Sequence, residues 1–122
     1  MARENIADGS KWEPIIGYSR AVKVGNMIFV SGTTAADTAG GPYEQTIQAL
    51  RKIEAALKRA GASLKDVVRT RLFVTDIARW EEYGKAHGEI FKDVRPATAM
   101  IQISKLIDPA MVVEIEADAV LG

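Results

Sequence analysis

Residues 95–104 read Arg-Pro-Ala-Thr-Ala-Met-Ile-Gln-Ile-Ser, and residues 112–119 read Val-Val-Glu-Ile-Glu-Ala-Asp-Ala. Both stretches alternate as half-buried β-strands do. Successive side chains of a strand point to opposite faces. The first stretch therefore places its threonine, methionine and glutamine opposite its isoleucines. The second has one apolar face and one face with three carboxylates, Glu114, Glu116 and Asp118.

A row of three carboxylates on one sheet face has two explanations. The acids are solvated or paired with arginines of a neighbouring strand, which is the interpretation we favour for Glu116 and Asp118. Alternatively, one acid lines a polar cleft and handles water or a proton. Glu114 comes first in the strand, nearest the loop, and is the best candidate for that role.

The composition narrows the classes of function. The chain has 122 residues, enough for one domain with a core, and 48% of them are hydrophobic. The formal net charge is +0, so no overall field attracts RNA or an acidic membrane. The absence of cysteine excludes disulfides, thiolate metal sites and a thiol nucleophile, and a single histidine argues against a histidine metal centre.

No apolar run reaches the roughly 20 residues of a membrane span. Residues 1–5 are not followed by the apolar region of a signal peptide. We therefore expect a soluble, cytoplasmic protein without a membrane partner.

The first half of the chain predicts a hairpin after an irregular start. Residues 1–17 contain several breakers, and Trp12 among them is interpreted as a hydrophobic plug rather than a ligand-stacking group. Residues 18–24 and 27–30 are predicted strands, joined by the two-residue turn signal Gly-Asn. The second strand ends at Ser31 and Gly32. Gly32 can take a backbone conformation closed to other residues. A Ser-Gly pair at a strand end can present a hydroxyl and an N–H to a ligand.

A helix is predicted from Pro42 to a stop at Gly61, with an apolar stripe at helical spacing. Residues 66–75 form the next predicted strand. Its apolar face is Val68, Leu72 and Val74, and its other face is Arg69, Arg71 and Phe73.

Asp76 is a suitable N-cap for a second helix. The buried stripe of this helix is predicted to be Trp80, Tyr83, His87 and Ile90. The lone histidine is interpreted as a core or interface residue in preference to a catalytic one.

The predicted order is β-β-α-β-α-β-β in one domain, residues 1–122, of the α+β class. Two helices can cover only one face of such a sheet. The other face is expected to carry Phe73, Met100 and Gln102 among charged groups, and a partner subunit would be its natural cover.

The sequence resembles the reactive-intermediate deaminase (RidA/YjgF) family between about residues 18 and 120. The residues that carry the resemblance are Gly17-Tyr18-Ser19, Val24-Gly25-Asn26-Met27 with Ser31-Gly32, Phe73-Val74-Thr75-Asp76, Arg95-Pro96-Ala97 and Glu114-Ile115-Glu116-Ala117. The resemblance implies a chorismate-mutase-like fold and a homotrimer whose sheets face inward, with sites between subunits. It also implies hydrolysis of 2-imino or 2-enamino acids to 2-oxo acids and ammonia, without a cofactor.

By the same resemblance, Glu114 positions or activates the attacking water and Tyr18 shapes the pocket. Backbone groups near Ser31 and Gly32 and at Met100 would complete the site.

The sequence departs from the family where an arginine binds the substrate carboxylate, because Thr98 stands there. A hydroxyl cannot form the charged, bidentate hydrogen bonds that a guanidinium makes with a carboxylate. This loss is worth roughly 1.5–3 kcal/mol. Arg20, Arg71 or Arg95 are candidates for a relocated anchor, and the sequence does not choose among them.

Three functions compete. The first is an imine or enamine deaminase of altered substrate range. The second is a trimeric small-molecule-binding or regulatory protein without catalysis, which Thr98 favours. The third, an RNA-directed activity, is disfavoured by the single histidine and the balanced charge, so no nucleic-acid partner is expected.

Overall fold

The computed structural model describes residues 2–122. Its strands are β1 (Arg3–Ile6), β2 (Ala21–Val24), β3 (Met27–Thr33), β4 (Val67–Val74), β5 (Ala97–Gln102) and β6 (Val113–Val120). Its helices are α1 (Trp12–Ile16), α2 (Pro42–Arg59) and α3 (Trp80–Phe91), with single 3₁₀ turns at Leu64–Asp66 and Ile77–Arg79. The α+β class is as predicted.

The six strands form one mixed sheet in the order β1-β2-β3-β6-β4-β5. The β4–β5 pair is parallel and the other neighbours are antiparallel. The alternation predicted for β6 is confirmed, because Val113, Ile115, Ala117 and Ala119 are buried and the three acids are only half-buried. The predicted hairpin is also confirmed, since β2 and β3 pair across Gly25 and Asn26.

The prediction that residues 1–17 are irregular is wrong. β1 pairs with β2 through four residues, and α1 follows as one short helix. The sequence of β1 does not alternate like a half-buried strand, and its conformation comes from hydrogen bonding to the edge of the hairpin.

Helix α2 forms where it was predicted. Pro42 occupies its first turn, and the Glu44 carboxylate accepts a hydrogen bond from the Gly41 N–H at 3.0 Å. Gly61 follows the last turn with a φ of 83°, which suits a glycine stop. The buried stripe of α2 packs on β3 and β6 and forms the centre of the core.

The predicted buried stripe of α3 is partly wrong. Asp76 caps the 3₁₀ turn, accepting from the Ala78 N–H, rather than α3 itself. Trp80 is therefore at the start of the helix, pointing away from the core, and is 56% exposed. Tyr83 is fully buried as predicted, and Ala86 and Phe91 join it in the core.

Two face assignments also need correction. A register shift between Val67 and Arg69 places Val67 in the core and leaves Val68 exposed, because a bulge reverses the alternation that follows it. On β5, Met100 pairs beside the buried Leu72 and packs against the helix-side core.

Gln102 follows Met100 on that side, and its amide oxygen accepts a hydrogen bond from the Ile77 N–H. The open face of β5 therefore carries Ile101, beside Phe73, in place of Met100 and Gln102.

The sheet face opposite the helices mixes apolar and charged groups. Phe29 is 42% exposed and Ile101 is 44% exposed. Arg71 lies between two acids of β6, 3.6 Å from Glu116 and 3.5 Å from Asp118. The pairing of these two acids with a neighbouring strand is confirmed. Among residues 2–122, no helix is long and apolar enough to cross a bilayer.

Candidate functional site

A cleft of about 570 Å³ opens where the N-terminal segment, the end of β3 and the start of β6 meet. Five of the predicted site residues line it: Tyr18, Arg20, Ser31, Gly32 and Glu114. Trp12 also lines the cleft and is half-buried, so it is not only a plug. The cleft is the candidate functional site.

Gly32 is needed because Glu114 approaches it closely. The register between β3 and β6 shifts between Val30 and Thr33. This bulge brings Gly32 next to the start of β6. A Cβ on Gly32 would lie 2.8 Å from the Glu114 carboxyl carbon and 3.0 Å from Oε2. The predicted reason, a glycine-only backbone conformation, is wrong, since Gly32 is not among the glycines with positive φ.

Glu114 is half-buried at the floor of the cleft. Burial raises the pKa of its carboxyl above the usual 4.5, the charge of Glu116 raises it further, and Arg20 opposes the shift. A carboxylate whose pKa is raised is a better proton acceptor than an ordinary one, and its acid form can return the proton in a later step.

Arg20 is buried beside this carboxylate, with 6% of its surface exposed. Its Nη2 donates to the Gly32 carbonyl at 2.6 Å, and its Nη1 is 3.8 Å from Asp8. The guanidinium carbon stands 5.8 Å from the centre of the Tyr18 ring, within range of a cation–π contact. Arg20 therefore contacts both Tyr18 on the wall of the cleft and Gly32 on its floor.

Ser31 does not offer the donors that were predicted. Its hydroxyl donates to the Ser19 carbonyl at 2.6 Å, and its N–H donates to the Arg20 carbonyl at 3.0 Å. Both groups are used to hold β3 against the segment before β2, so Ser31 supports the cleft wall.

Glu13 holds the N-terminal segment in place at the cleft, a role that the sequence analysis did not predict. Its carboxylate is buried and accepts three backbone N–H bonds, from Asp8 at 3.3 Å, Gly9 at 3.1 Å and Arg20 at 3.1 Å. These bonds fix the N-terminal segment over the cleft. The available signal was a single acid in the otherwise apolar run Trp-Glu-Pro-Ile-Ile.

Lys52 was also missed. It extends from α2 into the cleft and its Nζ donates to the Thr34 carbonyl at 2.9 Å. Burial lowers its pKa from the usual 10.5, and the charge of Arg20 lowers it further. The signal was its helical position, three residues after buried Ala49 and four before buried Ala56.

Thr98 and Met100 lie away from this cleft, on the helix side of the sheet. The Thr98 hydroxyl donates to the Pro96 carbonyl at 3.1 Å and is 2.8 Å from the hydroxyl of Thr70. Thr70 is fully buried and is 2.9 Å from His87 Nε2. A single chain therefore does not bring Thr98 to Glu114.

His87 lies within this polar chain. Burial lowers its pKa below 6.5, which keeps it neutral at neutral pH, and its ring packs 4.7 Å from that of Phe91. These contacts agree with the interpretation as a satisfied core histidine.

Of the three candidate anchors, only Arg20 lines the cleft. Arg71 is occupied by the acids of β6, and Arg95 lies beside His87 and Pro96 near the edge of the sheet. Among residues 2–122, no three histidine or acidic side chains cluster as a metal site would require.

Residues 9–121 match the sequence profile of the family described as Endoribonuclease L-PSP. The chain belongs to this family. The match spans every strand of the sheet except β1, and all residues that line the cleft except Asp8.

Two relatives of known sequence match almost the whole chain. An uncharacterized protein of Streptomyces coelicolor is 34% identical over 126 residues, covering 99% of this chain and 94% of that protein. A RutC family protein of Pyrococcus abyssi is 35% identical over 125 residues, covering 98% of both chains.

Two solved structures have a similar fold over almost the whole chain. A Mycobacterium tuberculosis protein described as a member of the YjgF/YER057c/UK114 family has 48% identity and a TM-score of 0.95, covering 98% of this chain and 100% of that chain. A Pseudomonas aeruginosa protein of unknown function has 30% identity and a TM-score of 0.89, covering 98% and 93%. The YjgF resemblance is confirmed at the level of the family.

Proposed function

We propose that this L-PSP family protein hydrolyses a reactive imine or enamine, giving a carbonyl compound and ammonia. The observation that carries the proposal is the Glu114 carboxyl, held against Gly32 on the cleft floor with a raised pKa. The reaction needs one group that takes a proton from water and then returns it to nitrogen. Glu114 is suited to both steps.

In the proposed mechanism, water adds to the carbon of the C=N bond. The imine reacts in its N-protonated form. Glu114 takes one proton from that water as the C–O bond forms, and the C=N electron pair moves to the iminium nitrogen, which becomes a neutral amine. The protonated carboxyl of Glu114 then donates to the amine of the resulting carbinolamine. The C–N bond breaks, ammonia leaves, and the one proton of the hydroxyl is released to solvent as the C=O bond forms.

An enamine enters the same sequence after a proton is added to its carbon. Tyr18 forms a wall of the cleft and orients the substrate, while the Gly32 bulge admits it close to the carboxyl. No step requires a cofactor.

The proposed active assembly is a homotrimer with inward-facing sheets and sites between subunits. Exposed Phe29 and Ile101 on the open face support a subunit contact there. Thr98 and Met100, on β5 at the edge of the sheet, would reach a cleft only in a neighbouring subunit. Thr98 would then take the place of the carboxylate-binding arginine, and the substrate range would be altered accordingly.

A second candidate is a trimeric small-molecule-binding protein without catalysis. The observation that favours it is the Thr98 hydroxyl, which is already bonded to Thr70 and Pro96 and offers no positive charge. It would show saturable binding of a metabolite at the cleft with no product formed. An RNA substrate is not part of either proposal, since the chain has a formal net charge of +0.

The test is ammonia release from freshly generated 2-iminopropanoate, with the wild type compared with Thr98→Arg and with an arginine-bearing relative. We expect release by the wild type above the spontaneous rate. Activity only in Thr98→Arg would mean that Glu114 can activate water and that the natural substrate lacks that carboxylate. If neither protein released ammonia from this substrate or from a panel of neutral imines, hydrolysis would be refuted and the binding protein would be favoured.

A further inference from the structure

Two cations share one side of the cleft. Arg20, from the segment before β2, donates to the carbonyl of Gly32, and Lys52, from α2, donates to the carbonyl of Thr34. These carbonyls are two residues apart, so at most about 7 Å of backbone separates them. Two different elements of the fold therefore bring a guanidinium and an ammonium to neighbouring positions beside Glu114.

No carboxylate of the described residues hydrogen-bonds to the side chain of either cation. Asp8 faces both, with its carboxylate 3.8 Å from Arg20 Nη1, beyond a normal hydrogen bond, and Glu114 acts on Arg20 only through its charge. Among residues 2–122, Arg20 Nε is one of two buried side-chain nitrogen or oxygen atoms without a hydrogen-bond partner. Like charges held together in a half-buried site, with a buried donor unused, are stabilised when an anion enters.

We infer that Arg20 and Lys52 together bind the anionic group of the substrate, in the same subunit as Glu114. This inference rests on the proposed hydrolysis and narrows its substrates to imines or enamines that carry an acid group close to the reacting carbon. The pair would supply the positive charge that an arginine at position 98 would otherwise provide. Lys52 is then a determinant of specificity.

The placement of the pair suits an acid near the C=N carbon. Arg20 contacts the carbonyl of Gly32, the residue whose Cα lies against the Glu114 carboxyl, so the anion site and the proton-transfer group are adjacent. Glu116 would not repel the ligand strongly, because Arg71 is 3.6 Å from it. Glu114 itself is the acid nearest the reacting atoms, where a proton is needed.

The test measures binding of 2-oxobutanoate, a stable 2-oxo acid, and of its neutral amide by calorimetry. We expect the wild type to prefer the acid, and Lys52→Met to bind it about 10- to 150-fold more weakly with amide binding unchanged. Lys58→Met, at an exposed lysine of the same helix, is the matched control and should bind like the wild type. Lys52→Arg should retain the preference, and it remains informative if Lys52→Met fails to fold.

Equal binding of acid and amide by the wild type would overturn the inference, as would an unchanged acid affinity in folded Lys52→Met or a lost preference in folded Lys52→Arg. Hydrolysis is scored separately by ammonia release. If imines are hydrolysed but the affinity for the acid does not depend on Lys52, the assignment of the anion site is wrong and the proposed reaction stands. If acid binding depends on Lys52 but no imine is hydrolysed, the anion site stands and the reaction fails.

Discussion

The cleft and the β5 edge both carry residues expected at the site, yet the fold treats them differently. Around the cleft, Gly32 contacts both Glu114 and Arg20, and the three residues form a connected unit within one chain. At β5, Thr98 is turned to the helix side and bonded to Thr70. Motif residues can therefore divide into those that one chain assembles and those that serve structure or a neighbouring subunit. Substitutions in the two regions should separate chemistry from stability.

The largest effect is expected at the cleft. Glu114→Gln keeps the shape of the side chain and removes its proton transfer, so kcat should fall about 100- to 10,000-fold. Steady-state ammonia release measures this. Asp118→Asn, on the same strand and paired with Arg71, is the control and should leave kcat close to the wild-type value.

The same substitution should change stability in the opposite sense. The folded-state pKa of Glu114 is raised, so its contribution to stability is fully present below the unfolded pKa and is lost as pH rises through the folded pKa. Glu114→Gln should therefore be more stable than the wild type at pH 7, by urea denaturation. A less stable variant would mean that the carboxylate is needed for folding.

The next effect tests the close approach on the cleft floor. In Gly32→Ala the new Cβ would displace the Glu114 carboxyl, which is the movable end of a side chain. A shift of about 1 Å can cost about 100-fold in rate, so kcat should fall by that order with little loss of thermal stability. Gly88→Ala on α3, where a Cβ meets nothing within 4 Å, is the matched control.

Glu13 should affect both stability and the cleft. Glu13→Ala removes the acceptor of three backbone N–H bonds and should lower the free energy of unfolding by about 2–4 kcal/mol. Denaturant unfolding measures this, with exposed Glu4→Ala as the control. A loss no larger than that of the control would show that water replaces the carboxylate readily.

The smallest effect is expected at the β5 side. Thr70→Val keeps the volume and breaks the link between Thr98 and His87, so stability should fall by about 1–2 kcal/mol. The kcat of the folded variant should change much less than in Gly32→Ala. A larger loss of kcat than of stability would place this polar chain in the reaction and erase the contrast between the two regions.

Much of the fold could be predicted because local pattern and tertiary structure agree. The alternation of β6, the Gly-Asn hairpin and the Pro42 start of α2 are local signals. β1 was missed because pairing with a neighbour, not its own sequence, makes it a strand. The exposed position of Val68 was missed because a bulge depends on the partner strand.

The site was predictable only in part, for a related reason. Glu114, Tyr18 and Gly32 belong to motifs and were identified, although the role of Gly32 follows from a contact 82 positions along the chain. Lys52 reads locally as one more polar residue of an amphipathic helix. Its burial beside Arg20 depends on how α2 packs over the end of β3.

The most direct test of the central claim is the pH dependence of kcat/KM for ammonia release, in the wild type and in Glu114→Gln. We expect the wild-type rate to fall toward acid through a pKa above 4.5, because water attack requires the ionised carboxylate. This limb should be absent from any residual activity of Glu114→Gln. An unchanged limb in that variant, or turnover equal to the wild type, would contradict the role of Glu114 and with it the proposed reaction at this cleft.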